Sequence, residues 1–532
     1  MRIVLRDIRL SAESSDCDAI SLAKKQLNST FGSGNYADVS VYRKSVDARH
    51  KNNINVVYSV SAQIFSNKVS EDVLKKINGT ALDEGRLDIV YGEKVIENRP
   101  IIVGFGPAGM FCALLLAENG YKPLVIERGG DIEERNRSVS LFREKGILDT
   151  ESNVQFGAGG AGTFSDGKLV TRINDKKCRY VIETYHKYGA PESILTNAKP
   201  HIGTDNLGRI VTNIKNRIIE CGGDVLFNSR FEGYRNLNNS IVVETSKGEF
   251  VGSSLVLAIG HSARDTYMSL AKKNLTMIPK AFSVGVRVEQ LQEEINNSVY
   301  GKYAAKLGNA EYNFSYRNGE RAVYTFCMCP GGHVVEAASE ENTVVVNGMS
   351  NYKRDGKNSN AALVVSVLTE DVGNGLFDGM NFQKYLEKKA FVMGGGDYSA
   401  PIQTVGDYLN GKIGITPKRI TPTYMNGEKY ALCDLNELFP KYINSFLAEG
   451  LVRFDKKIKG YAPSDAVMTA VETRTSSPIR IVRGEMMCSL SDENVYPCGE
   501  GAGYAGGITS ASVDGIRTAL KIMEKFKPFK DN

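Results

Sequence analysis

No apolar run in these 532 residues approaches the roughly 20 consecutive positions that a membrane-spanning helix needs, so no transmembrane segment is expected. A large charge of one sign is also missing. Sixty-six basic residues against 61 acidic ones leave a formal +5, small for this length, which argues against nucleic acid as a partner. Basic clusters such as Arg43-Lys44 and Arg49-His50-Lys51 have acids nearby and are expected on solvated surface. The nine cysteines form no even, tight disulfide framework. Cys327-Met-Cys329 lacks the second pair that a zinc site would need, so no metal is expected. Free thiols suit a reducing cytoplasm, the expected compartment. The opening Met1-Arg-Ile-Val-Leu-Arg-Asp7 carries charges inside any apolar core and does not read as a signal peptide. No Ser/His/Asp triad and no pair of catalytic carboxylates stands out. Apolar and charged fractions of 42% and 24% are ordinary for a globular chain, and the length suffices for two or three domains.

What is present is a phosphate-binding turn in full context. An apolar run, Pro100-Ile-Ile-Val103, enters Gly104-Phe-Gly106-Pro107-Ala108-Gly109, and an Ala- and Leu-rich segment of helix length follows. A second apolar run, 122–126, ends in Glu127 and Arg128. That is strand, glycine turn, helix and strand, with an acid about 20 residues past the glycines. Gly104 permits the tight turn, Gly106 lets backbone approach a pyrophosphate, and Gly109 lets the helix pack close to the strand. The helix N-terminus offers N–H groups and a positive dipole end to phosphates, and Glu127 can accept from ribose hydroxyls.

The glycine pattern recurs twice. Gly157-Ala-Gly159-Gly160-Ala-Gly162 is followed by Thr163-Phe-Ser-Asp-Gly-Lys168, too polar and glycine-broken for a packed helix. Gly501-Ala-Gly503-Tyr-Ala-Gly506 lies between a short strand, 494–498, and a helix, 508–526. Too few residues follow for a second strand with its own ribose-binding acid. Only the first copy can be a complete nucleotide half, and the other two are expected to be glycine-lined walls against something flat or anionic.

This arrangement resembles FAD enzymes of the glutathione-reductase-like superfamily. The resemblance implies that Gly104, Gly106, Pro107, Ala108, Gly109, Glu127 and Arg128 hold the adenosine and pyrophosphate end. Gly159, Gly160 and the strand-ending Gly260 would border the cofactor. From the late segment, Gly499, Glu500, Gly506, Gly507 and Ile508 would reach the flavin end, with Glu500 on a ribityl hydroxyl and the helix near Ile508 facing the flavin N1–C2=O edge. Several longer motifs narrow the likeness. They are Ser165-Asp-Gly-Lys-Leu169, Ala258-Ile-Gly-His-Ser-Ala-Arg-Asp-Thr266, Gly285-Val-Arg-Val-Glu289, Asn347-Gly-Met-Ser350, Arg354-Asp-Gly-Lys-Asn358, 472–480 and 499–508. Together they are similar to a family of bacterial FAD-dependent dehydrogenases of unassigned substrate, over nearly the whole chain. One departure is Cys498, where the family pattern leads one to expect a small alanine. It reads as a small apolar substitute, with a thiol near the flavin as the alternative.

The expected fold class is α/β: a Rossmann-like FAD-binding domain, an inserted strand-rich substrate domain and an N-terminal ferredoxin-like α+β domain. Residues 1–95 read strand 3–8, helix 18–27, strands 38–46 and 53–63, helix 70–77 and strand 87–91, the βαββαβ order of an accessory domain. The FAD-binding domain is expected over 98–275 and 485–532. Between them, 276–484 carries strands 281–289, 322–329 and 343–347, expected to form a sheet roofing the flavin. The glycine runs 330–332 and 394–396 read as turns or close approaches.

Ser165, Lys168 and Arg474 are the candidate catalytic residues. Ser165-Asp-Gly can equally be a polar turn. Arg474 can bind an anionic substrate or the flavin carbonyls, or form an interdomain ion pair. His261 and Arg264-Asp265 follow the strand-ending Gly260 near the expected cofactor, where a His bonded to nearby backbone is the commoner case, and Tyr504 either shapes the ring pocket or covers it. The expected activity is an FAD-dependent oxidoreductase that transfers hydride through noncovalent FAD to a small organic substrate. Electrons would come from NAD(P)H docking transiently, or from a redox partner protein such as a ferredoxin or flavodoxin. Two alternatives remain open: a flavoprotein acting on RNA or another macromolecule through its N-terminal domain, with Tyr42-Arg43 stacking bases, and a non-enzymatic flavin-bound sensor or scaffold.

Overall fold

The glycine turn at Gly104 sits where two short buried strands end side by side. Strands Val495–Pro497, Leu255–Leu257, Ile101–Val103, Leu124–Ile126 and Asp224–Leu226 form, in that order, a five-stranded sheet in which every neighbouring pair is parallel. From Ile101–Val103 the chain adds strands first on one side and then on the other. A crevice therefore opens at the C-terminal ends of Ile101–Val103 and Leu255–Leu257, the place where such sheets bind ligands. Gly104 turns there with φ +100, and a Cβ on it would lie 2.3 Å from the Ala258 carbonyl oxygen. This computed structural model describes residues 1–66, 69–82 and 85–529. Residues 530–532 of the expected return segment 485–532, and 67–68 and 83–84 within 1–95, lie outside it.

Both faces of the parallel sheet are covered, which explains why its strands read as continuous apolar runs. Ile102, Val125, Val256 and Tyr496 pack with helices Pro107–Glu118, Thr204–Glu220 and Ile508–Lys525. Ile101, Val103, Leu124, Ile126, Leu255 and Leu257 face the other way, onto the antiparallel strands Phe231–Leu237 and Ser240–Thr245. Helix Pro107–Glu118 is buried from Ala108 through Ala117, as an all-apolar helix must be. A Cβ on Gly109 would lie 2.0 Å from the Gly104 carbonyl oxygen, so helix and turn touch backbone to backbone.

The N-terminal strands form an antiparallel sheet in the order Tyr36–Asp47, Asn55–Ile64, Arg2–Ser11, Gly79–Ala81. Helix Asp16–Phe31 buries Ala19, Ala23 and Leu27 against it and begins with a capping box at Ser15 and Asp18. The fourth strand is not the expected 87–91. That segment alternates like a strand, but it runs as coil, because Leu87 and Ile89 pack on the helical side of the parallel sheet instead. Ile96 is buried there too, and Lys94–Val95 pair in parallel with Phe526–Lys527. Tyr42 is already stacked by Arg179, whose guanidinium carbon lies 5.1 Å from the ring centroid.

The inserted segment leaves and returns through one antiparallel pair, Met277–Pro279 with Ile479–Ile481. Its main sheet has seven strands: Ser315–Asn318, Arg321–Cys329, Asn358–Val367, Phe282–Leu291, Val467–Glu472, Ala400–Thr404 and Tyr430–Leu432. Val284, Val286 and Val288 join an apolar core that includes Leu447, Leu451 and Phe454 of helix Lys441–Lys457. The alternate positions, Arg287 and Glu289, are polar and buried on the opposite face, as a period of two requires. The strand expected at 343–347 lies at Val346–Met349 and pairs with His333–Glu336 in a separate ladder. Of the two glycine runs, 330–332 is a close approach, since a Cβ on Gly331 would lie 1.9 Å from the Arg354 carbonyl oxygen. The run 394–396 ends helix Asp378–Met393. Among the described residues no helix is long and apolar enough to cross a membrane, and no cluster of three metal-ligating side chains occurs.

Candidate functional site

One large cleft lies between the crevice of the parallel sheet and the polar face of the seven-stranded sheet. Gly104, Gly106, Pro107, Ala108, Glu127 and Arg128 line it from the first glycine turn, and Gly160 and Gly260 from the next two loops. Glu500, Gly506, Gly507 and Ile508 line it from the late segment, and Ser165, Lys168 and Arg474 also face it. Gly109, Gly159 and Gly499 stand behind this lining. A Cβ on them would lie 2.0 Å from the Gly104 oxygen, 2.1 Å from the Thr163 hydroxyl and 2.7 Å from the Ala108 Cβ, so they let the walls pack.

The free edges of the cleft fit a long anionic ligand. A Cβ on Gly106 would meet only the Gly160 Cα, at 3.7 Å, and on Gly260, Gly506 or Gly507 it would meet nothing within 4 Å. Side-chain space at these four positions is therefore cleft space. Helices Pro107–Glu118 and Ile508–Lys525 both begin at the cleft, at Gly106 and Gly507, and no side chain caps either start. Their first N–H groups are left for an outside acceptor. Glu500 faces the same space, and its carboxylate has no hydrogen-bond partner among the described residues. Burial raises it to about 7, against the pull of Lys280.

Glu127 binds the backbone of both glycine turns. Its Oε2 accepts from the Phe105 N–H at 2.8 Å, and its Oε1 accepts from the N–H groups of Gly129 and Gly157 at 3.0 and 2.9 Å. It thus ties the first glycine turn to the second. Arg135 holds that second wall from behind. It is fully buried and donates to the carbonyls of Asn153, Val154 and Ala158 at 2.9, 2.9 and 2.6 Å. Arg128 lies over Phe156 and pairs with Glu151 and Asp265, each at 3.0 Å.

The three catalytic candidates differ in what they do. The Ser165 hydroxyl donates to the Gly162 carbonyl at 2.6 Å and accepts from the Gly167 N–H at 3.0 Å, the bonding of a polar turn. The Lys168 ammonium donates to the Met328 carbonyl and lies 3.6 Å from Asp166 and 3.5 Å from Glu311. Arg474 lines the cleft, and its ion pair is buried inside the inserted segment rather than on the surface or between domains. Its Nε and Nη2 donate to Glu387 at 2.8 and 3.0 Å, while Nη1 is buried with no hydrogen-bond partner among the described residues. Burial and the like charge of Arg264 lower its pKa.

His261 lines the cleft. Burial, then Arg474 and Arg264, push it down to about 3, so it is neutral at ordinary pH. Tyr504 is not part of the lining. Its ring stacks on Arg483 at 3.8 Å and its hydroxyl accepts from the Arg483 N–H. Cys498 is fully buried in the helical core; its thiol is pushed well up by burial and accepts from Thr518 at 3.4 Å.

Sequence reading missed Glu387, Arg135 and the Arg287–Glu472 pair, in which Nε lies 2.7 Å from Oε2. Each partner is remote in the chain. The available signal was charge inside strand or helix patterns that are otherwise apolar, as at Arg287 within Phe282–Leu291.

Residues 281–475, most of the inserted segment, match the family model described as FAD-dependent protein, C-terminal domain-like. An uncharacterized protein of Clostridium beijerinckii is 44% identical over 99% of this chain and 99% of its own length. The digeranylgeranylglycerophospholipid reductase of Methanocaldococcus jannaschii is 32% identical over 114 residues, 20% of this chain and 29% of that one. Among solved structures, CtdE in complex with FAD aligns at 12% identity over 80% of this chain and 86% of its own, with a TM-score of 0.32. FqzB aligns at 12% identity over 83% of each chain, with a TM-score of 0.34. The family match supports a flavoprotein. With a relative this similar along nearly its whole length, the chain belongs to the family of the Clostridium beijerinckii protein.

Proposed function

We propose that the chain is an FAD-dependent oxidoreductase of the glutathione-reductase-like type, moving hydride between noncovalent FAD and a small anionic organic molecule in the cleft. The observation that carries the reading is the pairing of the cleft's two sides. One side offers open glycine positions, two helix starts without a side-chain cap and the Glu500 carboxylate facing the cleft. The other offers Arg474 and the polar face of the inserted sheet.

The residues have separable tasks. The helix start at Pro107 and the backbone of Gly106 and Ala108 would take the pyrophosphate, and Glu127 would keep the turn that presents them. The two glycine walls, 157–162 and 499–507, would bracket one isoalloxazine ring. FAD, when bound, supplies the hydride-carrying centre. The helix start at Ile508 would stabilise negative charge beside it, more strongly than in water because the site is shielded. Arg474 would bind and orient the anionic substrate through Nη1, with Glu387 fixing the guanidinium plane. His261, neutral, would contribute a polar edge and no charge. NAD(P)H docking transiently, or a small redox protein, would supply electrons, since the parallel sheet offers one complete nucleotide half.

The test is to purify the protein, record its visible spectrum, reduce the flavin anaerobically and screen metabolite pools for whatever reoxidises it. A yellow protein whose flavin is reoxidised by a defined anionic metabolite is the expected result. A colourless protein that ignores FAD and binds NAD overturns the cofactor reading. A reducible flavin that no metabolite reoxidises overturns the catalytic one.

A further inference from the structure

Two thiols stand on the roof of the cleft, and neither the cofactor site nor the proposed substrate contacts use them. Cys327 and Cys329 both line it. Cys327 is exposed to the open space and Cys329 is buried beside it. They lie on strand Arg321–Cys329 where its pairing with Asn358–Val367 breaks. Phe326 opposes Ala362 and Cys329 opposes Asn360, so Cys327 and Met328 together face a single residue. This is a β-bulge, a device that re-aims side chains beside functional sites. Cys327 adopts φ +44, rare for a residue with a side chain.

The bulge changes what the pair can do. In a regular strand, positions i and i+2 lie about 6.6–6.8 Å apart, at the outer limit for a disulfide. Here the Cys329 thiol turns back and donates to the Cys327 carbonyl at 3.3 Å. The two carbonyls of the bulge are held from outside: Arg287 Nη1 donates to Cys327 at 2.9 Å, and Lys168 donates to Met328. Although Cys327 faces the open cleft, its depth there desolvates it, and this pushes both thiols up against the charges of Arg287 and Lys168, which favour the thiolates. Lys168 thereby acquires a role as a positioning residue for the bulge.

We propose that Cys327 and Cys329 form a dithiol–disulfide couple that exchanges two electrons with the FAD bound in the same cleft. In one direction the two S–H bonds break, the S–S bond forms, and two electrons and two protons pass to oxidised flavin. In the other, reduced flavin returns them, the S–S bond breaks and both thiols re-form. The couple rests on the proposed FAD site and would give the protein a second two-electron store between donor and substrate.

The test uses the full-length FAD-loaded protein, oxidised in air and titrated anaerobically with dithionite while flavin absorbance is followed. The wild type should take up about four electrons per FAD, and Cys327→Ser and Cys329→Ser about two each. Cys433→Ser, outside the cleft lining, should behave as wild type. In parallel, the tryptic fragment 322–353, whose only cysteines are these two, should be lighter by two hydrogens in the oxidised protein. It should take two maleimide labels after reduction. A yellow protein that takes up about two electrons, with both thiols already open to maleimide in air, overturns the couple and leaves the FAD site standing. A colourless protein overturns both.

Discussion

Arg474 and Glu387 meet in a two-pronged contact, Nε to Oε1 at 2.8 Å and Nη2 to Oε2 at 3.0 Å, and Arg264 holds the same carboxylate at 2.8 and 2.9 Å. Burial alone would raise the Glu387 pKa. The two guanidiniums outweigh it and hold the group at about 2. One carboxylate thus anchors two buried cations, one of them on the cleft wall.

The partners should respond unequally. Glu387→Gln leaves the two buried guanidiniums only Glu340, 2.7 Å from Arg264 and 3.8 Å from Arg474, and should destabilise the fold by about 3 kcal/mol, read by chemical denaturation. Arg474→Ala leaves Glu387 paired with Arg264 and should cost less. It should keep FAD bound and slow turnover about 10²-fold if the guanidinium stabilises the transition state. Equal destabilisation by the two variants would show that Arg264 does not compensate. Because the folded pKa of Glu387 is depressed, its contribution is complete above its unfolded value near 4.5. It is lost as pH falls towards 2, and the Gln variant should lack that acid-side loss.

Gly106→Val should separate binding from folding. The backbone at Gly106 is extended, with φ −80, and the nearest atom to an added Cβ is 3.7 Å away, so the fold tolerates a side chain. The valine methyls would occupy the space beside the helix start. Flavin absorbance should disappear from the purified protein while its apo melting temperature stays near wild type. Retained flavin would place the pyrophosphate elsewhere.

The sequence made the parallel sheet legible because its information is local: Ile101–Val103, Gly104, Gly106 and helix Pro107–Glu118 are contiguous, and each residue type has one clear use there. The late Gly499–Ile508 segment was legible for the same reason. What stayed hidden depends on pairing across distance. Arg135 and Glu387 look like ordinary surface charges on helices, and only the packed chain shows them buried. The 87–91 segment misled because alternation records that one face is buried, not which neighbour buries it. Leu87 and Ile89 are covered by the helical core rather than by a strand partner. Cys327-Met-Cys329 was read for metal spacing, and the bulge that gives it another use has no composition signal.

Glu127→Gln should show that the acid supports the turn as well as any ribose. Three backbone N–H groups converge on its carboxylate. Bonds to a charged group contribute about 1.5–3 kcal/mol each, and the amide keeps one acceptor oxygen of two. The apoprotein's melting temperature should therefore fall along with FAD affinity. An unchanged apo melting temperature with weakened FAD binding would confine Glu127 to the ribose.

Glu500 should leave a pH signature. Its folded pKa of about 7 lies above the ordinary value of 4.5, so the folded state holds a proton that the unfolded state has lost between those values. This contribution to stability falls as pH rises from about 4.5 to 7, the opposite sign to Glu387. Glu289, also raised to about 7 by burial, adds a slope of the same sign. The informative quantity is therefore the difference between wild-type and Glu500→Gln apoprotein, which should shrink that slope. Identical slopes would mean that the Glu500 carboxyl is solvated in the apoprotein.

Where the chain can be shortened follows from which core each residue joins. Residues 2–81 carry their own sheet and their own apolar cluster, on which Leu307 of the inserted segment packs, and polar contacts also join them to the rest. They include Ala198 N–H to the Lys44 carbonyl at 2.8 Å, Lys306 to the Glu13 carbonyl at 2.7 Å and the Arg179–Tyr42 stack. Residues 87–96 belong to the other core. Ile96 is buried in it, Leu87 and Ile89 pack on it, and Lys94–Val95 extend a strand against Phe526–Lys527. A chain starting at Gly85 should therefore be soluble and bind FAD. One starting at Asn98 should melt earlier, having lost about 1.5–3 kcal/mol from Ile96 burial alone, besides the strand pair. Comparing melting temperature and bound flavin in the two shortened chains decides the matter: equal behaviour would return 87–96 to the N-terminal unit, and a flavin-free Gly85 chain would make the N-terminal sheet part of the FAD site.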